Sequence, residues 1–168
     1  MLRGVALVLC VGMLVACGNE PATDAASDAA PAAEPAAAEP AAAPEAVALP
    51  RTPSPEGAMV YIASPADGET VTSPVRVVFG LKGIGVAPAG IIMENTGHHH
   101  LLIDTQLQDM GLPIPTDEQN VHFGLGQTEA ELELSPGTHT LQLVVGDHLH
   151  IPHDPPLMSE VITVEVQP

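Results

Sequence analysis

Residues 75–83 read VRVVFGLKG, and the alternation within them decides the fold class. Val75, Val77, Phe79 and Leu81 fall on one side of an extended chain, with Arg76 and Lys82 on the other, because successive side chains of a strand point to opposite faces. Similar runs lie on both sides. MVYIAS (59–64) comes before, separated by the turn sequence PADGE (65–69). HHHLLID (98–104), AELEL (130–134), LQLVVGD (141–147) and SEVITVEV (159–166) come after. No window of a dozen residues carries a helical period, and turn residues cluster between the runs. The expectation is an all-β, antiparallel sandwich over residues 58–168, long enough to bury a core without disulfides. Aromatic residues make up only 2% of the chain, so that core must be built of Val, Leu and Ile.

The phrases SPADGETVTSPVRVVFGLKG (64–83) and LSPGTHTLQLVVGD (134–147) resemble the second-strand and sixth-strand regions of bacterial immunoglobulin-like domains. In such a sandwich the loops after strands B, D and F gather at one pole. The resemblance makes VRVVFGLKG strand B, HHHLLID strand C and LQLVVGD strand F. His98, His99 and His100 then begin strand C at the pole where the loop HLHIPHDPP (148–156) follows strand F, and His122 is placed to join them.

Histidines are the chemistry of this chain, which has eight of them. His98 and His100 share a strand face with Leu102 and Asp104, while His99 shares the other with Leu101 and Ile103. Two imidazoles at i and i+2 on a strand point the same way and suit a shared metal ion. His148 and His150 repeat that spacing, with His153 just beyond. The expected metal ligands are therefore His98, His100, His122, His148, His150 and His153. His99 reads as a core or supporting residue, and His139, at the opposite end of its strand, as one packed against a turn. Imidazole and carboxylate suit copper or zinc, and Met93, Met110 and Met158 flank the histidine segments where a thioether would suit copper(I). Asp104, Asp147 and Asp154 are read either as partners that fix imidazole tautomers or as loop caps.

The N-terminus speaks to location. A short basic start (1–4) precedes the apolar run 5–16, too short to span a bilayer, which reads as a secretory signal over residues 1–16. The run ends in LVAC (14–17), which resembles the bacterial lipobox and so implies a lipid on Cys17. Gly18, where an inner-membrane protein would carry aspartate, implies the outer membrane facing the periplasm. Cys10 departs with the signal, which leaves no free thiol for a disulfide or a thiolate site. Residues 17–57 include PAAEPAAAEPAAAPEA (31–46), whose recurrent prolines forbid helix and whose side chains offer nothing to bury. That stretch is expected to be a disordered tether, averaging about 35 Å end to end as a flexible coil.

Charge excludes one class of partner. With 21 acidic residues against four basic ones and a net charge of −17, the chain repels nucleic acid and anionic head groups and attracts cations.

NTGHHHLLID (95–104), HFGLGQTEAELELSPGTHTLQLVVGD (122–147) and HIPHDPP (150–156) with SEVITVEV together resemble the family described as domain of unknown function 4399, small secreted or lipid-anchored bacterial proteins. The resemblance covers nearly all of the chain beyond Val75. It implies that these segments form one unit, and it carries no activity with it.

Catalytic signatures are missing: there is no GxSxG elbow, HExxH helix or phosphate-binding glycine loop. HHH…D with PGTH is faintly similar to a cupin, but Leu143 stands where asparagine is expected. The expected function is that of a lipid-anchored periplasmic protein binding copper or zinc, without catalysis. The alternative is a metal-independent immunoglobulin-like interaction module of the cell envelope. The stretch TQLQDMGLPIPTDEQN (105–120) exceeds ordinary loop length and is expected to be either functional or disordered.

Overall fold

A computed structural model describes residues 49–168. The expected signal, the lipid-bearing Cys17 and most of the tether lie outside the described residues. Nine strands run in order: β1 (Met59–Ser64), β2 (Glu69–Thr72), β3 (Val75–Lys82), β4 (Gly85–Val86), β5 (Thr96–Ile103), β6 (Asn120–His122), β7 (Glu129–Leu132), β8 (Gly137–Gly146) and β9 (Ile162–Gln167). There is no helix among the described residues.

The strands form two sheets. One is β1-β3-β7, and the other is β2-β9-β8-β5-β4, with β6 also pairing with β5. Pairing is antiparallel except for β2 with β9 and β4 with β5. With β3 as strand B, β5 as C, β7 as E, β8 as F and β9 as G, B and E share one sheet while C, F and G share the other. That division is the one an immunoglobulin-like sandwich makes.

Alternation explains the core. Val75, Val77 and Phe79 of β3 turn inward to meet Leu101 and Ile103 of β5, Leu141, Leu143 and Val145 of β8, and Val164 and Val166 of β9. These residues are almost all aliphatic, as the scarcity of aromatics requires. Phe79 is the exception and packs against Phe123 and the ring of His99.

β5 departs from the usual pattern of such a sheet, since His98 through Ile103 are buried on both faces. The reason is the long segment after it, 104–119, which folds back over the outer face of the larger sheet. Ile114 from that segment packs with Leu102 and Val144, joined by Leu107 and Met158, in a second small apolar cluster. Asp117 shapes the return to β6 by accepting hydrogen bonds from the Gln119 and Asn120 amides and from the Asn120 side chain. The segment whose length stood out in the sequence is thus an ordered cover.

The packed region also begins earlier than residue 58. The Arg51 guanidinium donates to the carbonyls of Pro152 and His153 and pairs with Asp154 at 3.3 Å. Ser54 N donates to Asp154 O, and Asp154 N to Thr52 O. These bonds tie residues 51–54 along the 152–154 segment, so the expected boundary at 57/58 falls within chain that is already docked. Composition hid this, because the docked stretch continues the proline-rich sequence of the tether.

Leu143 sits at the centre of β8, fully buried. Leu143→Ala should lower unfolding free energy by about 2–5 kcal/mol, as truncation of a buried leucine does. Denaturant melts of the two proteins measure this, and a loss below about 1 kcal/mol would place the residue outside a packed core.

Candidate metal centre

The outer face of β5 carries His98 and His100, and the register of its neighbours adds the other rings. β6 sets His122 directly opposite His100, and β8 sets Gly146 opposite His98. After β8 the chain turns sharply at Asp147. His150 N donates to Asp147 O, Asp147 N to Ile151 O, and the Leu149 and Ile151 amides both donate to the Asp147 carboxylate. Thr52 Oγ1 holds the other carboxylate oxygen at 2.6 Å. The turn puts His150 in the left-handed region, at φ 67°, and Ile114 N donates to its carbonyl from the covering segment.

Four imidazoles meet as a result. Ring centroids of His98, His100, His122 and His150 lie between 4.7 and 5.9 Å apart in all six pairings. His98, His100 and His122 offer ring nitrogens all within 4.8 Å of one another, close enough to share a metal ion. His98 Nε2 and His100 Nε2 are 3.1 Å apart. His98 Nδ1, His100 Nδ1 and His122 Nε2 are buried without a hydrogen-bond partner.

Two glycines make room. A Cβ on Gly124 would stand 2.6 Å from His122 Nε2, and one on Gly146 would stand 3.1 Å from His100 Nε2. Side chains at these positions would push the imidazoles apart, so the bare backbone is part of the site. Neither glycine was singled out in the sequence, where the only trace is their position two residues from His122 and directly across from His98.

The remaining histidines are elsewhere. His148 shares the turn with His150, but it lines a shallow surface pocket with Ile91, Ile92 and Met93. The i, i+2 spacing grouped it with His150 on the assumption of an extended strand, and the left-handed turn separates the two. His153 is buried with Nδ1 3.3 Å from Val145 O, and its ring lies against Gly97, on the core-facing side of β5. His99 also faces the core, with Nδ1 3.1 Å from Gln127 O. His139 bonds Asp104 at 2.6 Å and Ser135 O at 2.9 Å. The cluster lies on the outer face of the larger sheet, at the end where β5 begins and β8 gives way to its following loop, the end that the loop positions led one to expect.

None of the three aspartates bonds a ring of the cluster. Asp104 holds His139 and Thr140 N, Asp147 caps its turn, and Asp154 meets Arg51. Met158 packs with Leu102 and Val144, and Met93 is exposed. The centre is therefore all-imidazole.

Burial, with crowding added, favours the neutral form of His98, His100 and His122. Loss of solvent is the main cause that pushes His98 down to about 4 and His100 down to about 2, with neighbouring imidazoles adding to it. Burial and then His150 lower His122, and burial lowers His99. His139 moves the other way, raised chiefly by its bond to Asp104. Neutral imidazole with an available lone pair is the form that ligates metal.

The direction of these shifts fixes a pH dependence for the metal-free protein. In the unfolded chain His98, His99, His100 and His122 each take a proton near pH 6.5, whereas the folded state refuses it, so the stability is present above that pH and is lost as pH falls toward the lowered folded values. Each such residue contributes a slope of about 1.4 kcal/mol per pH unit. His139 opposes this, adding stability below about 6.5 that disappears as pH rises through its raised value. The lowered residues outnumber it, so unfolding free energy should fall between pH 7 and pH 5, and His98→Asn with His100→Asn should flatten the curve. Equal stability at both ends of that range would contradict the neutral buried cluster.

Among known proteins, one family model matches, the one described as domain of unknown function (DUF4399), over residues 77–167. No curated protein and no solved structure matches the chain. The matched residues run from β3 to β9 and include all four clustered histidines and both glycines beside them. The chain belongs to the DUF4399 family.

Proposed function

We propose that this protein holds one transition-metal ion, copper or zinc, among His98, His100, His122 and His150, and does so from a lipid anchor at Cys17 in the outer membrane, facing the periplasm. The observation that carries the reading is the mutual approach of four buried or half-buried imidazoles, three of which have ring nitrogens without partners. An unpartnered buried polar atom costs about 1–3 kcal/mol. Several in one cluster, with no carboxylate bonded to them, make a poor arrangement unless a cation takes their lone pairs. His98, His100 and His122 bring ring nitrogens within ligand reach of one another, and the His150 ring packs against all three as the nearest source of a fourth ligand. The acidic surface draws cations toward the protein. His148 and His153 stand outside this ligand set.

A second reading, a metal-independent interaction module of the envelope, is favoured by exposed apolar side chains near the turn: Ile92 is 82% exposed, Leu125 83% and Met93 61%. Metal uptake separates the two readings.

Equilibrium dialysis of the purified protein against copper or zinc, followed by elemental analysis, should find about one ion per chain. Alanine at His98, His122 or His150 should weaken binding by more than about tenfold, since even the outer partners of metal ligands typically contribute that much. His148→Ala should leave it nearly unchanged. Absence of stoichiometric uptake, or an equal loss from His148→Ala, would contradict the assignment. For the anchor, Cys17→Ser should move the protein from the membrane fraction of cells to the soluble one, and retention in membranes would rule the lipid out.

A further inference from the structure

Residues 49–54 lie before the matched family region, 77–167, and their sequence continues the proline-rich stretch ahead of them, yet they touch both layers that close over the outer face of β5. Leu49 N donates to Gly111 O, at 3.3 Å, in the segment that covers the sheet. Arg51 donates to the carbonyls of Pro152 and His153 and pairs with Asp154, whose own backbone bonds Thr52 and Ser54. Thr52 Oγ1 reaches further in and donates to Asp147 Oδ2 at 2.6 Å. Together these residues form a strap.

Asp147 joins the strap to the histidines. It is buried, and its two carboxylate oxygens serve different partners. Oδ1 accepts from the Leu149 and Ile151 amides and so closes the turn that carries His150. Oδ2 takes the Thr52 hydroxyl. Without that hydroxyl a buried carboxylate oxygen loses its partner, which costs more than the loss of a bond between neutral groups. The oxygen regains a partner from solvent only if the turn opens, and opening takes His150 with it. The same turn is held from its other side by Ile114 N, which donates to His150 O. Ile114 and Gly111 both belong to the 104–119 cover, so strap, turn and cover form a closed circuit of bonds beside the histidine cluster.

His98, His100 and His122 are fixed by β5 and β6, and their ring nitrogens lie within ligand reach of one another. His150 has no strand to fix it. It follows β8 in a left-handed turn, and its ring packs against the other three only while that turn keeps its shape. We propose that the strap is a working part of the histidine centre: Thr52 is a positioning residue that acts through Asp147 to hold His150 against the other rings, so that metal affinity and docking of the strap are coupled. The inference rests on the metal reading above. Coupling of this kind is reciprocal: an ion that draws on His150 tightens the strap, and a loosened strap weakens the ion by the same factor.

Trypsin reads the strap directly. The chain has four basic residues, Arg3, Arg51, Arg76 and Lys82, and cleavage after Arg51 cuts within the strap. Where opening is fast relative to cleavage, the cutting rate follows the population of the open form. Cleavage at Arg51 is followed by mass spectrometry in the full chain for wild type, for Thr52→Val, which keeps the shape and loses the hydroxyl, and for Thr52→Ser, which keeps the hydroxyl. Without metal, Thr52→Val should be cut about tenfold faster than wild type, and Thr52→Ser close to the wild-type rate. The metal that wild type takes up, zinc or copper(II), should slow the cut, and Thr52→Val should bind it about tenfold more weakly at an unchanged far-UV circular dichroism spectrum, with Thr52→Ser restoring affinity. Equal cutting of wild type and Thr52→Val, equal metal affinity in the two, or cutting that bound metal does not slow would each overturn the coupling. Faster cutting of Thr52→Val alongside refusal of both metals by folded wild type would overturn the metal reading, and the coupling with it, while leaving the hold of Thr52 on the turn established.

Discussion

The two-faced burial of β5 is the constraint on which everything else rests. Its inner face, His99, Leu101 and Ile103, belongs to the sandwich core, and its outer face, His98, His100 and Leu102, would meet water in an ordinary sheet of this kind. Burying the outer face requires a second layer. The 104–119 segment supplies it through Ile114 and Leu107, and the turn after β8 supplies the rest through His150. Because side chains alternate strictly along a strand, a slip of one residue would exchange the two faces, putting His98 and His100 into the aliphatic core and Leu101 beneath the loops. The fold and the histidine centre are specified by the same register.

The energetics of the centre follow from its surroundings. Imidazoles this close under a hydrophobic cover lose solvent and repel one another's charged forms, so His98, His100 and His122 are driven toward neutrality. Neutral rings still carry polar nitrogens, several of them here without partners. A sequence under pressure for stability alone would fill these positions with the Leu and Val that occupy the rest of β5 and β8. An ion bound among them would change the balance, since lone pairs that are costly when unpaired would become ligands. Gly124 and Gly146 fit that account: both omit a side chain where one would crowd an imidazole nitrogen.

Much of this was legible in the sequence. The period-two alternation of VRVVFGLKG and of the runs around it marked strands, and the assignment of B, C and F that the immunoglobulin-like resemblance implied agrees with the two sheets found, B in one and C with F in the other. Parity along HHHLLID put His98 and His100 on one face and His99 on the other, because strand geometry admits no other outcome. His139 packs against the Ser135 turn, also as its position indicated. What the sequence concealed were the non-repetitive parts. His148 and His150 share a spacing with His98 and His100, but spacing has meaning only on a strand, and Asp147 had turned the chain by then. The docking of residues 51–54 depends on backbone bonds to 152–154 that no local pattern announces. The ordered cover at 104–119 shows no periodicity, since it packs by a few anchors such as Ile114 and not by a face.

The central claim is that four imidazoles converge on one ion, and a crystal grown with zinc and measured on both sides of the zinc absorption edge tests it most directly. The account predicts a single anomalous peak enclosed by His98, His100, His122 and His150, with four nitrogen ligands at about 2.0 Å. Zinc bound elsewhere, at His148 or among surface carboxylates, with the four rings holding no ion between them, would contradict it.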